Sequence, residues 1–208
     1  AAGEVIERPA SIVKELVENA IDAGATHVTI EIEEGGISLI RITDDGSGIM
    51  KEDIRNAFLR HSTSKIRSVE DLLSIHSLGF RGEALSSIAA VAQVELITKT
   101  YEELTGTRYV IEGSKEIENE EIGAPEGTTF IVRNLFYNVP ARRKFLKTAQ
   151  TEAGYISDLM ERMALSHPEV SFKFINNGQI RLHTSGNEQL KDIIYHIYGR
   201  DIAANLLE

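Results

Sequence analysis

The chain has 208 residues, a formal net charge of −10 and no cysteine. So acidic a domain repels a phosphate backbone overall and is a poor autonomous nucleic-acid binder; without thiols, thiolate metal sites, a cysteine nucleophile and a disulfide framework are excluded, and a reducing compartment fits. Hydrophobic residues at 42% and charged residues at 26% suit one domain with a sizeable core, with no run long enough for a membrane span and no signal-peptide pattern at the start.

Pro9 to Asp22 (PASIVKELVENAID), closed by Ala23-Gly24, carries helix punctuation at both ends. Ile12, Val13, Leu16, Val17, Ala20 and Ile21 gather on one apolar face. At roughly 100° per residue, Glu15, Asn19 and Asp22 fall within about 60° on the other side, unrelieved by Lys or Arg. That stripe reads either as a solvated face or as carboxylate, carboxamide and carboxylate turned toward a ligand. His27 to Glu33 alternates as a half-buried strand, Glu34-Gly35-Gly36 turns tightly, and Ile37 to Thr43 returns as the second strand of an antiparallel hairpin. Asp44-Asp45-Gly46-Ser47-Gly48 follows as a glycine-rich loop, and Lys51 to Leu59 reads as a short helix.

Arg60 to Arg81 is polar, weakly periodic and long for a connection, as functional lids are. Gly82 to Val91 is a small-residue helix; Gln93 to Thr98 and Thr107 to Glu112 are strands around a turn near Gly106; Glu112 to Glu126 reads as an exposed acidic loop. Thr128 to Asn134 is a strand, ended by Asn138-Val139-Pro140-Ala141 and a short basic helix through Leu146. Arg142, Arg143, Lys144 and Lys147 cluster there and could meet an anion, although a patch of this size is also ordinary solubility chemistry. Glu152 to His167 is a long amphipathic helix, Ser171 to Ile175 and Gln179 to His183 form a hairpin around Asn176-Asn177-Gly178, and Gln189 to Tyr198 is a last helix. Helices and hairpins mix without regular βαβ alternation, so the expected fold is α+β: a two-layer sandwich with a mixed, mostly antiparallel sheet and helices on one face. Beginning at Ala1 rather than Met, the chain reads as a fragment forming a single domain over residues 1–208.

No P-loop, dinucleotide fingerprint, HExxH or GxSxG pattern occurs, and the six histidines lack metal spacing. Three glycine-bearing elements remain. In DxGxG, Gly46 and Gly48 let the backbone come close to a flat ligand, and Asp44 could accept a hydrogen bond from an exocyclic amine such as adenine's. Turn chemistry explains the same pattern as well. In Ser77-Leu78-Gly79-Phe80-Arg81-Gly82-Glu83, the N–H groups of a helix start and the Arg81 guanidinium suit phosphates. The third, Gly127-Thr128-Thr129, opens a strand.

Taken together and in this order, ExxxN, DxGxG, a long connection ending in GFRGE, and GT resemble the GHKL ATPases. That superfamily includes the gyrase B subunit, the heat-shock chaperone ATPase, sensor histidine kinases and MutL. Ala1 to Ala25, Arg60 to Ile66, Ser77 to Ile88 and Asn134 to Lys147 resemble signatures of the MutL-type DNA mismatch-repair proteins, and the likeness covers nearly the whole chain. It implies an ATPase domain in which Glu15 is the general base that activates water. Asn19 would ligate Mg²⁺, and Asp44 would read the adenine amine while Gly46 and Gly48 make room for the ring. Thr63, Ser64 and Lys65, with Gly79 through Leu85 (Leu78, Gly79, Phe80, Arg81, Gly82, Glu83, Ala84 and Leu85 counting the preceding leucine), would wrap the phosphates. Asp22 and Thr128 would support the adenine end, although Asp22 fits equally a charge beside Gly24. No mechanism attaches to Arg142 and Arg143, and Asp45, Asn in many relatives, touches no assigned role.

The resemblance also implies partners: a mismatch-recognition protein of the MutS type, a downstream nuclease or helicase, and DNA, contacted mainly through the rest of a longer protein. It implies a homodimer or paralogue heterodimer for that longer protein, with this fragment monomeric and slow to turn over. An N-terminal arm, a following domain and a C-terminal dimerisation domain would lie outside the chain. The location implied is cytoplasmic and nucleoid-associated in a bacterium, nuclear in a eukaryote. Two other readings stay open: a kinase of the histidine-kinase branch using the same pocket, and a non-catalytic scaffold with a vestigial one.

Overall fold

The computed structural model describes residues 6–59, 82–199 and 202–203. Helix α1 (Pro9–Asp22) begins with proline in its first turn, where the missing N–H costs nothing. Its predicted apolar stripe is buried: Ile12, Val13, Leu16, Val17 and Ala20 are each at most 1% exposed. Strands β1 (His27–Glu33) and β2 (Leu39–Asp44) form the expected hairpin, with Ile30 opposite Ile42 and Val28 opposite Asp44. The predicted helix from Lys51 divides into a single 3-10 turn, Lys51–Asp53, and a short α2 (Ile54–Ala57).

Helix α3 (Gly82–Val91) leads into β3 (Gln93–Lys99) and β4 (Gly106–Glu112). The acidic stretch that follows is not a loop. It is strand β5 (Lys115–Ile122), paired antiparallel with β4 at the sheet edge. Its glutamates disguise it because nearly the whole strand is exposed, so no apolar alternation marks it. Main-chain hydrogen bonds hold it instead, with Glu118 and Glu120 paired to Arg108 and Glu116 paired to Arg55. Such an edge resists joining another sheet, since a second acidic strand would meet like charge.

Strand β6 (Gly127–Arg133) precedes the short α4 (Pro140–Arg143) and the long α5 (Ala149–Ser166), whose N-cap Thr148 accepts the Thr151 N–H at 3.2 Å. Strands β7 (Ser171–Asn176) and β8 (Gln179–His183) and helix α6 (Leu190–Tyr198) follow. Among the described residues eight strands order as β5-β4-β3-β6-β2-β1-β7-β8, and of these neighbours only β1 and β7 run parallel. The sheet is therefore mixed and mostly antiparallel, with the helices packed to form an α+β sandwich. No helix among the described residues is long and apolar enough to cross a membrane.

The register determines what the inner face of the sheet presents. One row across it, Phe174, Ile30, Ile42, Phe130, Leu96 and Tyr109, is wholly buried. Removing any of its large aliphatic side chains would cost about 2–5 kcal/mol in lost transfer energy and residual cavity. The next row toward the end of the strands reads Phe172, Val28, Asp44, Thr128, Thr98 and Thr107. Its middle is polar. The core thus ends, on β2, β6 and β3, in a carboxylate and two hydroxyls.

Candidate active site

Asp44 and Thr128 of that polar edge form the floor of a cavity lined by Asn19, Ala20, Ala23, Asp44, Gly48, Ile49, Leu85, Thr128 and Phe130. Helix α1 supplies one wall through Asn19, while the first helical turn after the long connection brings Leu85 across from it. The cavity is small, about 30 Å³, and opens to solvent on one side, with room for a water or two. A recess of that size takes one edge of a flat ligand rather than all of it.

Asp44 dominates the electrostatics. Burial pushes its carboxyl up to about 6, and the neighbouring Asp45 charge adds to the rise. The Gly46 N–H, donating at 2.8 Å, and the Thr128 N–H pull the other way. The cavity therefore holds a carboxyl that burial makes costly to ionise and that, once ionised, is strongly drawn to a donor.

Asp45, assigned no role from the sequence, has a structural one. It accepts the Thr26 and His27 N–H groups at 2.8 and 2.9 Å and the Thr26 hydroxyl at 2.6 Å. Burial alone would raise its carboxyl, but these bonds outweigh it and hold it near 2. It ties the start of β1 to the glycine loop and so helps aim Asp44.

Two glycines are demanded by close approach. Gly48 has φ +74°, and a Cβ there would strike the Lys99 carbonyl; Gly127 has φ +123°, and a Cβ would strike the Asp44 carbonyl. Gly127→Ala is expected to cost about 3 kcal/mol through clash and backbone strain together. The expected reading is a melting temperature lower by roughly 6–12 °C; an unchanged value would mean that β2 and β6 can part at no cost.

Of the residues singled out from the sequence, Asn19, Asp44, Gly48, Leu85 and Thr128 come together on the cavity. Glu15 lies one turn before Asn19 and is only 7% exposed, so the polar stripe of α1 is not a solvated face there. Gly46 is buried beside Asp44, and Ala84 is buried on α3 next to Leu85, with Glu83 half-buried in its first turn. Asp22 is exposed and does not line the cavity. Gly82 opens α3. Thr63, Ser64, Lys65, Leu78, Gly79, Phe80 and Arg81 lie outside the described residues. The sequence reading missed Ala20, Ala23, Ile49 and Phe130 as site residues, apolar residues next to or one alternation away from the residues it chose. Arg142 and Arg143 are not on this cavity; Arg142 stands over the buried Phe136 ring at 6.0 Å.

Comparison with known proteins places the chain in a family. The family model for histidine kinase-, DNA gyrase B- and HSP90-like ATPases matches residues 7–130. Among solved structures, the Aquifex aeolicus MutL ATPase domain complexed with ADP superposes with a TM-score of 0.74 and 34% identity, covering 93% of this chain and 70% of that one. The chain belongs to the MutL family of ATPase domains. Curated MutL sequences agree: the DNA mismatch repair protein MutL of Agathobacter rectalis is 76% identical over 208 residues, and that of Clostridium botulinum is 59% identical over 207. Both matches cover 100% of this chain but only 32% and 31% of those relatives, so the chain spans about a third of their length. As a MutL ATPase domain it is a nucleotide-binding switch domain, and its mixed, mostly antiparallel sheet with helices is the fold of that family.

Proposed function

We propose that this domain binds ATP with Mg²⁺ and hydrolyses it slowly, with the cavity floor taking the amine edge of adenine. The observation that carries the reading is Asp44: a carboxylate in register with Thr128 at the polar end of an apolar sheet face, with Asn19 on the helix across from it. Asp44 would accept from the exocyclic amine, and Thr128 would support the same edge. Glu15, one helical turn from Asn19 and largely withdrawn from solvent, would orient water and take its proton as general base. Thr63, Ser64, Lys65 and the Leu78–Leu85 stretch are carried over from the family as phosphate contacts, and Asp22 as support for the adenine end.

Asn19 offers a carboxamide oxygen, a hard donor suited to Mg²⁺. Among the described residues no group of three or more His, Cys, Asp or Glu could hold a metal, so phosphate and water oxygens would complete its shell. When bound, Mg²⁺ neutralises charge on the phosphate oxygens. Asn19 would fix where those phosphates sit relative to Glu15.

Residues 1–208 are read as one domain of a longer protein whose arm, following domain and dimerisation domain complete the machine. In that protein nucleotide occupancy would drive closure of an N-terminal dimer, with a MutS-type recognition protein, a nuclease or helicase, and DNA as partners. The similar proteins named above are bacterial, which favours a cytoplasmic, nucleoid-associated location. A histidine-kinase reading is disfavoured because a largely buried carboxylate one helical turn from Asn19 would suit activation of water better than transfer to a protein acceptor.

Calorimetry with ATP, with and without Mg²⁺, tests the proposal. The chain is expected to bind ATP more tightly with Mg²⁺, and Asn19→Ala to bind it equally with and without the metal. With γ-labelled ATP the label should leave as free phosphate. Label retained on protein, or Mg²⁺ dependence surviving in Asn19→Ala, would overturn the respective assignment.

A further inference from the structure

We propose that Thr98, which does not line the cavity, sets the hydrogen-bond polarity of its floor and so contributes to choosing a 6-amino purine over a 6-oxo purine; the inference rests on the ATP reading above. Thr98 is 1% exposed. Its hydroxyl oxygen has three polar neighbours: the Ile49 N–H at 2.9 Å, the Gly127 carbonyl at 3.0 Å and the Thr128 hydroxyl at 3.0 Å. A hydroxyl owns one proton and two lone pairs. The Ile49 N–H can only donate, and the Gly127 carbonyl can only accept. The one assignment that satisfies all three contacts sends the Thr98 proton to Gly127, gives one lone pair to the Ile49 N–H, and leaves a lone pair to face Thr128. Thr128 must donate to Thr98.

The consequence reaches the ligand side. With its proton committed to Thr98, Thr128 offers the cavity lone pairs alone. Asp44, its cross-strand neighbour, accepts only while it is a carboxylate. The floor is thus made of acceptors, a match for an exocyclic amine and a mismatch for a ring carbonyl in the same place. Thr98 holds Thr128 in this state through two backbone groups from different parts of the chain, Ile49 after the glycine loop and Gly127 at the start of β6. Without the Thr98 hydroxyl, Thr128 would be free to turn its proton into the cavity and meet a carbonyl.

The test compares ATP with inosine triphosphate, which replaces the amine donor at C6 by an oxo acceptor and carries a proton on N1, in Mg²⁺ calorimetry at low temperature. The unmodified chain should prefer ATP by at least ~100-fold, the size expected when a buried acceptor loses its donor. Thr98→Val should cut that ratio by about tenfold, and Thr98→Ser, which restores the hydroxyl, should keep it. Thr98→Cys, with a thiol that donates and accepts weakly, should shift the ratio the same way by less, and it serves if the valine variant does not fold. In a Thr128→Val background, Thr98→Val should leave the ratio unchanged. A purely structural Thr98 would weaken both nucleotides alike, so a ratio within twofold of the unmodified chain in Thr98→Val or Thr98→Cys overturns the inference. Equal binding of both nucleotides by the unmodified chain overturns it too. No ATP binding at all would instead overturn the ATP reading on which it stands.

Discussion

Asp44→Asn is expected to weaken ATP binding at least ~100-fold while making the free chain more stable above pH 6. The two effects have one cause. Asp44 must present an acceptor to the adenine amine and, at the same time, accept the Gly46 N–H at 2.8 Å. An asparagine side chain has one acceptor oxygen and a donor NH₂. Turned to satisfy Gly46, it sets a donor against the amine; turned to satisfy the amine, it sets a donor against Gly46. Either conflict leaves a buried donor unpaired, worth about 1–3 kcal/mol and more when a charged acceptor is lost.

The stability gain follows from linkage. Burial raises the Asp44 carboxyl from 3.8 in a solvated chain to about 6 in the fold. The folded state therefore holds its proton more tightly than the unfolded state, so stability falls as pH rises from about 4 to about 6, and the full penalty, on the order of 1–3 kcal/mol, applies above that. Asparagine carries no such penalty. The variant should melt higher at pH 8, the difference should shrink as pH drops below 6, and it should vanish near pH 4. ATP affinity of the unmodified chain should also fall as Asp44 takes up its proton below pH 6. Unchanged ATP affinity in Asp44→Asn would move adenine recognition elsewhere, and a lower melting temperature at pH 8 would mean that the Gly46 and Thr128 bonds outweigh the desolvation.

Glu15→Gln is expected to slow hydrolysis by 10²–10⁴-fold, the usual worth of a positioned general base, with ATP affinity kept within about threefold. Glutamine matches glutamate in size, so α1 should pack as before around Leu16 and Ile12, both at most 1% exposed. It cannot take a proton from water. Binding and chemistry should therefore separate: calorimetry near that of the unmodified chain, phosphate release nearly absent. Asn19→Ala, one turn away, should do the reverse by acting first on Mg²⁺-dependent binding. Residual turnover within threefold would place the base elsewhere, and joint loss of binding and turnover would make Glu15 part of the binding site instead.

Helix α1, the β1–β2 hairpin and the turn at Asn177-Gly178 could be read from local pattern, because each is set by residues within one or two turns of each other. Asn177 and Gly178 take φ +49° and +80°, as a tight hairpin turn requires. Strand β5 could not be read that way. Its stability comes from a ladder to β4, which precedes it by a two-residue turn, and from charge pairs with Arg108 on that strand and with the distant Arg55, so its exposed glutamates leave no apolar alternation to mark it. Thr98 was hidden for a similar reason: within β3 it looks like one more inward position after Val94 and Leu96.

The sequence by itself determined which residues share a face of each element, where the glycine loop breaks the chain, and, through the order of its motifs, the family. It put Glu15 and Asn19 on one side of a helix and Asp44 at the end of a strand. Tertiary structure alone decided that β6 lies between β3 and β2 and that β1 runs parallel to β7. From that order came the row Asp44, Thr128 and Thr98, and the burial of Glu15. The physical reason is that periodicity is a local property of two or four residues, whereas strand neighbours and register are settled by burying whole faces against one another. Only that burial brings the carboxylate of Asp44 and the hydroxyls of Thr98 and Thr128, from three separate strands, to the edge of one apolar sheet.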